Sequence, residues 1–153
     1  MLLTGTGQIG DWSSDWLWGI AMIVLTITLH GAGLLLISSH LVRLHQTLLH
    51  GIEQQRWGTM TVLLAVLSLA IALLFALSAM LWALAYLVLG ALPNFHMAIY
   101  YSLTMITTTG YDGVALAPHW RLMGVLEAVS GVLLGGISTA FLFAILERTW
   151  RPR

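Results

Sequence analysis

The chain has 153 residues, of which 59% are hydrophobic and only 8% charged, against about 25% charged in soluble domains, so a water-facing globular enzyme is excluded. The six basic residues are all arginine and are balanced by six acidic ones, which leaves no basic surplus for a nucleic-acid partner. There is no cysteine, which removes disulfide scaffolds, thiolate nucleophiles and thiolate metal sites and leaves the redox compartment unreadable.

Asp, Glu, Lys and Arg are absent from residues 16–42, 57–111 and 128–146, and one such charge at the bilayer centre costs about 2.5–3.5 kcal/mol. The first gap holds the apolar run Leu17–Ser39, longer than the roughly 20 residues that cross about 30 Å of hydrocarbon, and predicts a first transmembrane helix. A signal peptide needs a positive n-region and a small-residue cleavage site. Residues 1–16 contain no Lys or Arg and the stretch Leu36 to His40 offers no such site, so this helix is expected to stay in the mature protein. Beyond it Leu41, Leu44, Leu48 and Ile52 keep helical spacing, which predicts an amphipathic extension along the membrane surface. His40, His45 and His50 step about 140° apart around such a helix and make no metal face; they are expected to be solvated, and His30 and His96 to be hydrogen-bonded rather than liganding.

Met60–Ala91 is the second span, long enough to tilt or protrude. The segment after it does not read as a plain loop. Residues 95–106 are largely apolar yet too short to span, Pro93 and Asn94 supply a helix start with Asn94 as N-cap, and the apolar stretch stops at Thr107-Thr108-Thr109-Gly110-Tyr111-Asp112-Gly113. Glycines and hydroxyls there favour non-helical backbone. A short helix followed by irregular backbone at membrane depth is tolerated only where protein buries it or it lines a water-filled cavity, so a re-entrant loop is predicted. Leu122–Leu146 is the third span.

Three spans put the two termini on opposite sides, and the arginines agree. The segment before the first helix carries only Asp11 and Asp15, the first connection holds Arg43 and Arg56, and the tail holds Arg148, Arg151 and Arg153. The positive-inside rule makes the connection and the C-terminus cytoplasmic and the N-terminus external, as expected for a multi-pass protein of the plasma (inner) membrane. Trp12, Trp16, Trp18, Trp82 and Trp120 then fall near the outer interface, Trp57 and Trp150 near the inner one.

The run Thr107 to Gly113 resembles the signature loop of potassium channels, whose Thr-Val-Gly-Tyr-Gly carbonyls replace the hydration shell of the ion, and Tyr100-Tyr101-Ser102 resembles the aromatic pair and Ser of that family's pore helix. The resemblance covers roughly residues 60–148, and further resembles small three-span prokaryotic members of the ion-channel superfamily, with Pro118-His119-Trp120-Arg121 ahead of the inner helix as another point of similarity. It implies an all-α integral membrane fold of three transmembrane helices plus a re-entrant pore helix and selectivity-filter loop. Residues 1–59 would form the outer segment, first helix and connection, and 60–148 the pore domain, with pore helix 94–106, filter 107–113 and inner helix 120–148; 149–153 would be a cytoplasmic tail. Position by position, Thr108 takes the filter threonine, Thr109 replaces valine, Gly110 and Tyr111 match, and Asp112 and Gly113 stand in inverted order. Thr108, Thr109, Gly110 and Tyr111 would contact a permeant K+ or other monovalent cation, and Asp112 would add a carboxylate ring at the mouth. Tyr100, Tyr101, Thr104 and Gly113 would support the filter. As a surface turn the same letters are serviceable too, but their place after an apolar half-helix favours the pore loop.

One such strand per chain cannot surround an ion, so the expected assembly is a homotetramer in the lipid bilayer. Glu127, the lone acidic residue inside a span, is expected to support the pore helix or vestibule, near Thr104 or a neighbouring subunit's filter, rather than to snorkel. Gly131, Gly135 and Ser138 form a small-residue row; by resemblance Gly131 or Gly135 is a gating hinge, and packing alone is the equal alternative. Ser138 and Thr139 either line the cavity below the filter or bond their own helix carbonyls. No arginine-rich sensor helix, nucleotide loop, zinc motif or Ser/His/Asp arrangement occurs. Neither catalysis nor a cofactor is expected, and permeant cations are the expected ligand; a weakly selective or divalent-permeable pore, or a non-conducting pore-loop protein, is the alternative.

Overall fold

The computed structural model describes residues 12–48, 56–110, 113 and 116–150. Four α-helices follow in order, α1 (Trp12–Leu48), α2 (Arg56–Val88), α3 (Phe95–Ile106) and α4 (Arg121–Trp150), with a single 3-10 turn, Pro118–Trp120, leading into α4. Among the described residues there is no strand. Three segments, Asp15–His40, Met60–Val88 and Pro118–Glu147, are long and apolar enough to cross a membrane, and each overlaps one of the three apolar runs, the third also taking in Arg121, Glu127 and Glu147. The first helix runs on past its span to Leu48, so the helical spacing of the leucines after Ser39 does continue as helix.

The second span ends three residues short of the apolar run, and the reason is local. Gly90 adopts φ +66°, and the Ala91 N–H donates to the Tyr86 carbonyl at 2.8 Å while the Gly90 N–H donates to that of Leu87 at 3.1 Å. That pair of bonds is the Schellman termination, which needs a left-handed residue that glycine supplies without steric cost. Pro93 follows at once and cannot continue a helix. Asn94, in extended conformation, then accepts from the Met97 N–H at 2.9 Å through its side chain and starts α3, as its N-cap composition predicts. A stop and a start within a few residues fold α3 back along α2.

The core lies where α2, α3 and α4 meet: Ala79, Trp82, Ala83 and Tyr86 of α2, Ala98, Tyr101 and Ile106 of α3, and Met123 and Leu134 of α4 are buried together. α1 packs on α4 and α2 from the side, with Gly19 against Leu126 and Gly33 against Leu74. The opposite face of α2 carries Val62, Val66, Leu69, Leu73, Leu77 and Val88, all exposed. Such a continuous apolar outer face is costly in water and suited to lipid.

Candidate functional site

The site grows from the end of α3. Thr107 caps the helix with φ −86° and ψ 1°, Thr108 has φ 59°, and Gly110 has φ 74°. Positive φ thus recurs at alternate residues. Because each peptide is planar, an alternation of right- and left-handed residues turns successive N–H groups to one side and their carbonyls to the other. The hydrogen bonds follow that geometry: the N–H groups of Thr107, Thr108, Thr109 and Gly110 donate back to the final carbonyls of α3, those of Leu103 (3.2 Å), Met105 (2.9 Å) and Thr104 (2.9 and 3.1 Å). Every donor of the strand is consumed by the helix end. Among the described residues none of the carbonyls of Thr107 to Gly110 accepts a hydrogen bond, and all four residues are exposed.

The conformation has a cost. A β-branched residue at positive φ is rare and strained, and strain of this kind persists only where the surroundings over-determine it. Here the Thr107 hydroxyl donates to the Leu103 carbonyl at 2.6 Å and lies 3.0 Å from the Thr109 hydroxyl, which braces both sides of Thr108. Tyr111 and Asp112, the remaining residues expected to meet ions, lie outside the described residues, and Gly113 is exposed.

Behind this strand the helices are keyed together. Tyr101 is buried with its ring edge-on to Tyr86, centroids 5.5 Å apart, and its hydroxyl abuts Gly124. Thr104 is half-buried and donates to the Tyr101 carbonyl at 2.8 Å; Tyr100 is exposed on the other side of α3. Glu127 is fully buried. It accepts from the Tyr86 hydroxyl at 2.7 Å and is hydrogen-bonded to Ser102, whose hydroxyl also donates to the Ala79 carbonyl at 2.7 Å. One carboxyl therefore ties α2, α3 and α4. Within the chain its partners are Ser102 and Tyr86, not Thr104; Tyr86 carries no site signal in the sequence beyond being one of the few hydroxyls in an apolar run, beside Thr61, Ser68 and Ser78, and Ser102 none beyond its place after the tyrosine pair.

Gly131 meets the backbone of Ile106 so closely that a Cβ would overlap the Ile106 carbonyl oxygen, whereas Gly135 has open space where its Cβ would be. The two hinge candidates therefore differ: Gly131 is a contact surface and Gly135 is unobstructed within the chain. Ser138 is buried against α1, its hydroxyl 2.8 Å from His30 Nε2, and the His30 ring meets Phe75 edge-on at 5.4 Å. His30 is thus hydrogen-bonded, as expected of a histidine in a span. Thr139 is exposed and donates to the Gly135 carbonyl of its own helix at 2.8 Å. Among the described residues no group of three or more His, Cys, Asp or Glu could hold a metal ion.

The ion channel family matches residues 34–148, well over half of the chain, and the chain belongs to that family. No curated protein and no solved structure matches it.

Proposed function

We propose that this chain, a multi-pass membrane member of the ion channel family, is one subunit of a homotetrameric, passive, potassium-channel-like cation channel. The observation that carries the reading is the strand Thr107 to Gly110, whose donors are all turned back onto α3 and whose carbonyls have no partner among the described residues. Exposed in the single chain, such a row of carbonyls becomes expensive once neighbouring subunits exclude water from it, and a desolvated cation is the partner that restores the lost interactions. Four strands around an axis surround the ion with such carbonyls; one cannot. Thr108, Thr109, Gly110, Tyr111 and Asp112 supply the coordination, and the C-terminal, negative end of each α3 helix points at the cavity and favours a cation there. Flux follows the electrochemical gradient, so neither a catalytic residue nor a cofactor enters. The protein sits in the plasma (inner) membrane with its N-terminus external and its arginine-bearing connection and tail in the cytoplasm, by charge asymmetry.

The test is ion-gradient flux through purified protein in liposomes, with potassium, sodium and calcium compared. Potassium flux well above sodium flux supports the reading. Equal potassium and sodium flux, or calcium flux, leaves a weakly selective channel in which the Asp112 carboxylates set the permeability, and no flux of any cation from correctly oriented tetramers leaves a non-conducting assembly.

A further inference from the structure

The contacts of Glu127 hold more information than its burial. Three oxygen–oxygen contacts meet there: Tyr86 to Glu127 Oε2 at 2.7 Å, Ser102 to Glu127 Oε1, and Ser102 to the Ala79 carbonyl at 2.7 Å. Each needs one proton. The Ala79 carbonyl has none to give, so the Ser102 hydroxyl proton lies on that contact. The Tyr86 hydroxyl proton lies on its own contact with Oε2. Between Ser102 Oγ and Glu127 Oε1 no proton is left unless the carboxyl brings it. Ser130, three residues along α4, is buried with a hydroxyl that meets no partner, so it supplies no further donor, and among the described residues no cation pairs with Glu127.

We infer that Glu127 is held as a neutral carboxylic acid that donates from Oε1 to Ser102 and accepts at Oε2 from Tyr86, and that in this form it is a positioning residue that sets the height of the pore helix and with it the ion-contacting strand. The inference rests on the reading of Thr107 to Gly110 as that strand. The chain of bonds then closes with every proton used once: Tyr86 to Glu127, Glu127 to Ser102, Ser102 to Ala79. The register supports the positioning role. Glu127 meets Ser102 and Gly131 meets Ile106, four residues on along both helices, so α3 and α4 run side by side in the same direction and are pinned at two successive turns. Ile106 leads directly into the strand, and Thr104, between the two pins, is the residue whose carbonyl holds the Thr109 and Gly110 N–H groups. Moving Ser102 along α4 moves all of them.

Full-length protein in lipid vesicles at neutral pH, compared with E127Q by difference infrared spectroscopy, tests the protonation directly. The carbonyl stretch of a protonated carboxylic acid should be present in the parent, absent in E127Q, and shifted in S102A, which removes the acceptor. Loss of carboxylate bands alone in E127Q would overturn the inference. An amide can donate to Ser102 and accept from Tyr86 just as the neutral acid does, so cation flux of E127Q should stay within about two-fold of the parent, whereas E127A, which leaves the buried Tyr86 hydroxyl without an acceptor and Ser102 held to Ala79 alone, should lose roughly ten-fold or more. E127Q falling as far as E127A overturns the inference too, because it would show that the charge is what the site requires. If the parent conducts nothing, the channel reading fails, and the infrared comparison alone decides the state of Glu127.

Discussion

Replacing Gly131 by alanine probes the seam between α4 and α3, the helix that leads into Thr107 to Gly110. A Cβ at this position overlaps the Ile106 carbonyl oxygen and comes within 2.7 Å of its carbonyl carbon and 3.0 Å of its Cα. All three atoms are backbone, so no rotamer change relieves the overlap and one of the helices must shift. Overpacking costs about 1–3 kcal/mol, while Gly to Ala in a helix interior gains about 1 kcal/mol by itself. The same substitution at Gly135 carries that gain without the overlap, since nothing lies within 4 Å of its Cβ position. The difference between G131A and G135A therefore isolates the overlap, at roughly 1–3 kcal/mol. At about 2–4 °C per kcal/mol for a chain of this size, the melting midpoint of G131A in detergent should lie about 2–12 °C below that of G135A. Flux should fall as well, because the displaced residue is the one from which Thr107 departs. G131A as stable as G135A, with parental flux, would refute the close approach and with it the two-point register of α3 on α4.

G110A places a Cβ on a residue at φ 74°, which costs about 1–2 kcal/mol; flux should drop in reconstituted vesicles while the helix content by circular dichroism is unchanged. N94A removes the cap on the Met97 N–H and should cost about 1 kcal/mol in thermal unfolding, with N94D or N94S restoring the stability. S138A leaves buried His30, whose Nδ1 already has no partner, with neither ring nitrogen bonded, at a cost of about 1–3 kcal/mol in denaturation midpoint; pairing it with H30F, which needs no partner, should recover most of that loss. Exchanging Asp112 and Gly113, so that glycine follows Tyr111, should raise the potassium-to-sodium flux ratio, and an unchanged ratio would show that their order does not govern selectivity.

The role inferred for Glu127 is half-legible in the sequence, for an energetic reason. A carboxylate buried without a cation costs several kcal/mol even after relaxation, so an acidic residue in a span announces a protein-facing position, and the sequence reading of Glu127 as a support is the reading its burial agrees with. Its partners were not legible, because Ser102 and Tyr86 stand 25 and 41 residues away and no periodicity links them. The same holds for His30 and Ser138, 108 residues apart: each was recognisable as a polar group in an apolar run needing a hydrogen bond, and neither pointed to the other.

What the sequence determined by itself follows from local and solvent physics. Charge cannot be left in hydrocarbon, so the gaps between arginines and acids count the spans; Gly90, Pro93 and Asn94 dictate where one helix stops and the next begins, because each acts on its own backbone. The tertiary structure alone decided which helix faces meet. It made Gly131 a contact and left Gly135 free, although the two read alike as members of one small-residue row, because close approach depends on which carbonyl lies opposite. It also turned the donors of Thr107 to Gly110 back onto the carbonyls of Leu103, Thr104 and Met105, so that the carbonyls of this segment, which have no partner among the described residues and on which the proposed function rests, are left so by the way a helix end satisfies its own hydrogen bonds.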